Sequence, residues 1–325
     1  MGTVIFSLRD FYDQASEYVG IKSGLLLNRF QISEMLLDTF DEDFLRSDDL
    51  MSCVRLYSDE LENMFRTIRV KIGNLPTISS TVNDYASVRQ YIQNGISDDK
   101  WMGFMGLCFH YLDINSNLSN NELALILEKE GFPKELTLNF ANIAIERKDE
   151  SCIIIPETNE WKNCATPLSD LYDCEIKNEK TIDFLDQQFI DYIAVNGAEI
   201  ENIHWRNFER FCAEYFRRKG YDVVLGPGRN DGGIDIRVFV KKDSSNPSIV
   251  IQCKRYAEKR TVSIETVKAF YADVIFENAQ QGLIVTSSYI ASGGKKIVDT
   301  RKYNISFAEK ERIKKWAYSM WAYSK

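Results

Sequence analysis

The chain has 325 residues, 44% hydrophobic and 27% charged, with a formal net charge of −8. These are the values of an ordinary globular chain of about two domains, not of a disordered tail or a low-complexity polymer. No apolar run nears the length of a membrane span, and the seven cysteines are scattered without a CxxC pair, which excludes a membrane bundle and a disulfide-stapled module.

Reduced, mostly buried thiols in a cytoplasmic protein are expected. The opening MGTVIFS is too short for a signal peptide and has no charged lead-in. It also places Phe6 where a myristoylation signal needs Ser or Thr. Only His110 and His204 are present, so zinc or nuclease sites built from histidine are excluded.

The charge is unevenly shared. Residues 1–195 hold 17 Lys/Arg against 33 Asp/Glu, a formal −16; residues 196–325 hold 23 against 15, a formal +8. A basic C-terminal domain suits a polyanion and an acidic N-terminal one does not. The expected division is therefore an acidic regulatory or partner-binding domain, 1–195, ahead of a basic domain, 196–325. An acidic half beside a basic groove is also expected to weaken DNA binding.

Apolar periodicity predicts a mainly α-helical N-terminal domain. Helices are expected over Leu8–Tyr18, Gly24–Phe40, Asp48–Ile72, Thr81–Ile96 and Trp101–Leu112. The third is expected to be long and amphipathic, with Leu50, Val54, Tyr57, Leu61, Met64, Phe65 and Ile68 on its apolar face. Residues 119–157 read as helix, turn, helix and short strand, a pattern compatible with a winged helix. Residues 156–180 read as a loop and 181–195 as a bridging helix. No internal repeat or Walker motif occurs, so no ATP motor is expected.

The C-terminal half carries the chemistry. Tyr221–Leu225 is a β-prone run, followed by the turn residues Gly226, Pro227, Gly228, Asn230, Asp231, Gly232 and Gly233. Asp231 reads as a turn-stabilising carboxylate. Ile234–Val240 alternates, with Asp235, Arg237 and Phe239 on one face. Ser248–Lys254 places Val250, Gln252 and Lys254 on a common face, with Gln252 and Lys254 about 7 Å apart along the strand. An adjacent strand can set the Asp235 carboxylate beside them.

One acid, one amide oxygen and one lysine are suited to holding a hard cation against a phosphodiester. Asp235 and Gln252 are the expected metal ligands, with the Cys253 carbonyl as a third. Lys254 would orient the attacking hydroxide and neutralise the phosphorane. Glu209, upstream on a helix, would reach the ion through water. Mg²⁺ is the expected cofactor, with Mn²⁺ able to replace it. Arg229, Arg255, Lys259 and Arg260 are candidate nucleic-acid contacts.

Residues 203–310 resemble the Mrr-type restriction endonuclease domain of the PD-(D/E)xK nuclease superfamily. The matching residues are Phe208-Glu209, Gly220-Tyr221, Asp231-Gly232-Gly233-Ile234-Asp235, Gln252-Cys253-Lys254-Arg255 and Ile284-Val285-Thr286-Ser287. The resemblance implies an α/β fold with an α-β-β-β-α-β core, a mixed sheet flanked by helices. It implies an active site of Glu209, Asp235, Gln252 and Lys254, and a DNA endonuclease acting in restriction or antiviral defence. Gln in place of a second acid is usual in this branch. The alternatives are a repair or junction nuclease on the same fold, and a non-catalytic DNA-binding scaffold with a vestigial site. Double-stranded DNA is the expected partner, with a protein activator or sensor acting through the N-terminal domain, a possible homodimer, and no membrane.

Overall fold

The computed structural model describes residues 3–37, 39–40, 42–75, 84, 87–88, 90–91, 98–115, 117–153, 164–177, 182–228, 232–240, 245–257 and 259–324. They fall into two compact units. One takes in Met1–Val70 and Leu75–Ala165, the other Lys71–Asn74 and Thr166–Lys325. Among the described residues no helix is long and apolar enough to cross a membrane. The six described cysteines are all free.

The first unit contains β1 (Thr3–Ser7), α1 (Leu8–Ser23), α2 (Arg29–Leu37), β2 (Cys53–Tyr57), α3 (Ser58–Lys71), α4 (Asp98–Ile114), α5 (Asn120–Lys129) and α6 (Thr137–Ile153). A capping box between Ser7 and Asp10 starts α1, and Gly24, at φ 77°, ends it in the left-handed conformation. The single helix expected over 48–72 is instead a strand followed by a helix. In Cys53–Tyr57 only Val54 and Leu56 are buried, a period of two, and the strand pairs antiparallel with β1 from Thr3↔Tyr57 to Ser7↔Cys53. The helix expected over 24–40 likewise begins only at Arg29.

Helices α4, α5 and α6 pack through Cys108, Leu112, Leu123, Leu127, Phe132 and Phe140. The helix-turn-helix reading matches α5 and α6. The short strand expected after it does not appear at Ser151–Ile153, which close α6, and 154–163 lie outside the described residues. Most of the helix expected over Thr81–Ile96 is also outside them.

The second unit contains α7 (Asp170–Asp173), α8 (Gln187–Val195), α9 (Trp205–Arg218), β3 (Asp222–Leu225), β4 (Ile236–Phe239), β5 (Ile249–Lys254), α10 (Ile264–Phe276), β6 (Gln281–Thr286), α11 (Ser292–Arg301), β7 (Ile305–Ala308) and α12 (Lys310–Met320). Strands β3 to β7 form one sheet and lie side by side in chain order. The β3–β4 and β4–β5 pairs are antiparallel; β5–β6 and β6–β7 are parallel. The expected α-β-β-β-α-β order is present, extended by α11, β7 and α12.

Alternation along β5 divides its side chains between two layers. Val250 joins Phe270 and Val274 of α10 and Val298 of α11 in one core. Cys253, on the opposite face, meets Cys212 of α9. Glu214 of α9 is fully buried. Burial alone would raise its pKa, but hydrogen bonds from Arg217, Arg218 and the Phe184 amide hold it below the usual range.

Helix α8 belongs to this unit because Phe189, Ile190 and Ile193 are buried and the helix packs on α12. The compact unit therefore begins upstream of the 195/196 division read from charge. Residues 71–74 are held here too. Asn196 donates to the Lys71 carbonyl (2.7 Å), Trp321 to that of Gly73 (2.7 Å) and Tyr323 to that of Asn74 (3.0 Å). Gly73 cannot be replaced: its φ is +78° and a Cβ would stand 2.2 Å from the Asp191 carbonyl oxygen.

Asp191, on α8, accepts hydrogen bonds from Gln187 (2.6 Å) and the Ala322 amide (3.0 Å). Burial nonetheless raises its pKa to about 6. A raised carboxyl pKa means that the folded state binds the proton more tightly than the unfolded state. Stability therefore rises as pH falls through 6 and levels off below the unfolded value near 4. At pH 8 the ionised group costs up to about 3 kcal/mol at 1.36 kcal/mol per unit. Asp191→Asn keeps both acceptor contacts without the charge. It is expected to raise the melting temperature at pH 8 and to change it little at pH 4.5, as thermal melts at the two pH values would show.

Candidate active site

The glycine-rich loop between β3 and β4 delivers Asp235 to the edge of β5. The Gly226 amide donates to the Asp235 carbonyl (2.7 Å), and the Asp235 amide donates to the Ile251 carbonyl (3.0 Å). A Cβ on Gly226 would stand 3.0 Å from the Ile234 carbonyl oxygen, so glycine lets the loop lie against its own strand. The carboxylate then takes over where the ladder ends: Asp235 Oδ2 accepts the Cys253 amide at 2.6 Å. Asp235 is 8% exposed, so this bond fixes a buried acid.

Gln252 lies in register with that strand end. Its Nε2 donates to the Gly233 carbonyl at 2.8 Å. That contact sets which end of the amide is which, and it leaves Oε1 buried with no donor among the described residues. Gly233 has φ +88°, and a Cβ there would come within 3.2 Å of Gln252 Nε2 and 3.3 Å of Asp273 Oδ2. The second glycine therefore makes room for the amide.

Lys254 shares the Gln252 face and is half-buried. Its carbonyl accepts from Thr286 Oγ1 at 2.8 Å, which ties it to β6. Among the described residues its ammonium has no carboxylate partner, although it lies two residues from Gln252.

Cys253 contributes backbone, not sulfur. Its amide and carbonyl point toward the β4 edge, beside Asp235. Burial raises the thiol pKa well above its ordinary value, with further contributions from Cys212, Asp235 and Glu209, so the sulfur stays protonated. A cation at this edge would meet the Asp235 carboxylate, Gln252 Oε1 and the Cys253 carbonyl, all hard oxygen donors. The orphaned Gln252 oxygen is the observation that fits such an ion. Among the described residues no three His, Cys, Asp or Glu converge on a metal position, so neutral oxygens would have to share the work with Asp235.

Glu209 is placed differently. It is buried on α9, on the Cys253 side of the sheet, and is paired with Arg206 Nη1 at 2.6 Å. Arg206 is itself 7% exposed. Its Nη2 donates to the Gly226 carbonyl (2.6 Å) and its Nε faces Glu175 (3.4 Å), which also binds Arg210 (2.6 Å). One guanidinium thus joins the Glu209 helix to the loop that carries Asp235. The sequence reading passed over Arg206 and Glu175. The three-residue spacing of Arg206 and Glu209 on one helix was the available signal.

Of the expected nucleic-acid contacts, Lys259 and Arg260 are exposed in the loop after β5, Arg260 over the Tyr256 ring at 4.2 Å. Arg255 is half-buried and donates to the Glu201 carbonyl at 2.8 Å, which makes it part of the framework. Arg229 and Asp231 lie outside the described residues.

Residues 200–317 match the family model Mrr_cat, described as restriction endonuclease. This part of the chain is a Mrr-type restriction endonuclease domain. The match takes in α9 through most of α12, and so every element that carries the candidate site. An uncharacterized protein, y4cE, of Sinorhizobium fredii (strain NBRC 101917 / NGR234) is 23% identical over 122 residues, 37% of this chain and 31% of its own length. The chain thus spans about a third of that curated relative. The MspJI restriction endonuclease, solved in complex with a 27-mer oligonucleotide, is 15% identical, covers 46% of this chain and 37% of its own, and superposes with a TM-score of 0.33.

Proposed function

We propose that the Mrr-type domain is a Mg²⁺-dependent DNA endonuclease serving restriction or antiviral defence. The observation that carries this reading is Gln252 Oε1, buried and without a donor among the described residues, on the strand position in register with Asp235, whose carboxylate the Cys253 amide holds; Lys254, without a carboxylate partner among the described residues, shares the Gln252 face. A bound divalent cation would supply a Lewis acid for the phosphate oxygen and a water of lowered pKa. Asp235 and Gln252 hold that position through side-chain oxygens that the Cys253 amide and the Gly233 carbonyl orient. Lys254 places a compact positive charge where the phosphorane gathers negative charge. Lys259 and Arg260 give the loop after β5 a basic surface for a phosphate backbone.

The test is nicking of supercoiled plasmid by the full chain with Mg²⁺, on plain, methylated and branched DNA. Preference for one modification state supports the defence role. Preference for branched DNA would move the domain to repair, and no nicking under any condition would contradict an endonuclease.

Gln252→Glu separates a metal ligand from a structural amide. A carboxylate here sets oxygen against the Gly233 carbonyl, so the variant is expected to melt lower than wild type in EDTA. Hard cations prefer carboxylates, so it should bind Mg²⁺ more tightly, recover its stability with Mg²⁺ and keep nicking activity. Weaker Mg²⁺ binding in a calorimetric titration would place Gln252 outside the ligand set.

A further inference from the structure

We propose that a cavity beneath α9 and α12, at the end of the sheet away from Lys254, binds a nucleotide. The cavity measures about 400 Å³, within the usual range for small-ligand sites. Ile249 and Leu283 contribute to its floor, and Tyr215, Phe216, Tyr221 and Trp316 to its walls. Tyr215 and Trp316 are stacked at 4.2 Å with a 9° interplanar angle, and Phe216 meets Trp316 edge-on. Trp316 and Phe216 are themselves buried, so they back the half-buried Tyr215 and Tyr221, whose rings are the surface open to a planar heterocycle.

Lys219 and Arg312 complete the lining, and both are exposed. Arg206, Arg210, Arg217, Arg218, Arg237 and Lys310 each have a carboxylate partner. Lys219 and Arg312 have none among the described residues. Among the described residues no carboxylate lines the cavity, where Gln281 donates to Ser306. Lys219 Nζ lies over the Tyr215 ring, 5.5 Å from its centroid, and Arg312 Nη1 donates to the Phe307 carbonyl at 3.3 Å. Aromatic walls, two cations without a carboxylate partner among the described residues and no acid in the described lining select an aromatic anion, and a nucleotide joins both properties in one small molecule.

This is not the candidate cleavage site. Ile249 and Lys254 are the first and last residues of β5, which sets the two about 17 Å apart at the usual strand rise. The nucleotide has two possible sources, a free mononucleotide or the unpaired end of a DNA strand beyond the cleavage point.

The experiment uses the full chain and 5′-dAMP, followed by quenching of tryptophan fluorescence, to which Trp316 contributes, and by calorimetry. Adenosine and inorganic phosphate serve as half-ligand controls. Binding of dAMP is expected to exceed that of either control. Lys219→Ala and Arg312→Ala should each weaken it about tenfold, the factor for one charge-assisted hydrogen bond. Both side chains are exposed, so melting temperatures should match wild type. Asp235→Ala should leave dAMP affinity unchanged, which keeps this result separate from the fate of the nuclease reading. Competition with dAMP by a hairpin duplex carrying a single-stranded tail, and none by the blunt hairpin, would assign the strand end. Lack of competition by either would assign the free nucleotide. The proposal is overturned by absence of dAMP binding at millimolar concentration, by wild-type affinity in both alanine variants, or by phosphate binding as tightly as dAMP.

Discussion

Lys254→Ala is expected to abolish DNA cleavage while leaving duplex affinity within about twofold of wild type. The physical reason is a difference between ground and transition states. In binding, one lysine is one phosphate contact among several, and the salt-dependent grip spreads over the basic surface. In the reaction, charge accumulates on the phosphorane, and a pre-placed cation stabilises it without reorganisation. Removing one such group costs about 10²–10³ in rate. The environment of Lys254 fits that task. It is half-buried at the end of β5, held by its carbonyl to Thr286, and unspent on any described carboxylate. Single-turnover cleavage and gel-shift titration on the same preparation measure the two effects. Parallel losses of binding and cleavage would reduce Lys254 to a grip residue.

Arg206→Met should give the second large effect, in both stability and activity. The substitution leaves Glu209 buried with its 2.6 Å partner gone and removes the donor to the Gly226 carbonyl. Breaking a buried ion pair from one side costs about 3–5 kcal/mol. Glu209→Gln with Arg206→Met removes the stranded charge and should recover part of that loss in denaturant titrations. Cleavage should stay low in the double variant, because the loop leading to Asp235 is still untethered. Arg206→Lys should fall between, since one ammonium cannot reproduce a forked donor set. Full recovery of cleavage in the double variant would confine Arg206 to balancing Glu209.

Much of the Mrr-type domain was legible because its signals are local. Val250, Gln252 and Lys254 share a face by strict alternation, and the glycines at 226, 232 and 233 mark a loop that only small residues allow. The order of helix and strands follows from those runs. The site's supporting contacts are not local. Gly226 binding the Asp235 carbonyl, or Arg206 reaching Gly226 across 20 residues, is fixed only once α9 docks on the sheet. Arg255 shows the same limit in reverse. Its neighbour Lys254 made it look like a phosphate contact, yet the fold ties it to the Glu201 carbonyl.

The N-terminal reading failed where two periods compete over few residues. Val54 and Tyr57 fit a helix face, while Val54 and Leu56 fit a strand. Pairing with Thr3–Ser7 settles the choice, and it lies about 50 residues away in sequence. The division at 195/196 followed a shift in charge. The packing of Phe189, Ile190 and Ile193 responds to buried apolar area, to which net charge is blind.

The most direct measurement of the central claim is anomalous scattering from crystals of the full chain soaked in Mn²⁺, alongside plasmid nicking by wild type and Asp235→Ala in the same ion. The expected result is a manganese peak bound by the Asp235 carboxylate and Gln252 Oε1, lost in Asp235→Ala together with nicking. A peak that touches neither residue, or nicking that survives Asp235→Ala, would contradict the assignment of this edge of β5 as a metal-dependent nuclease site.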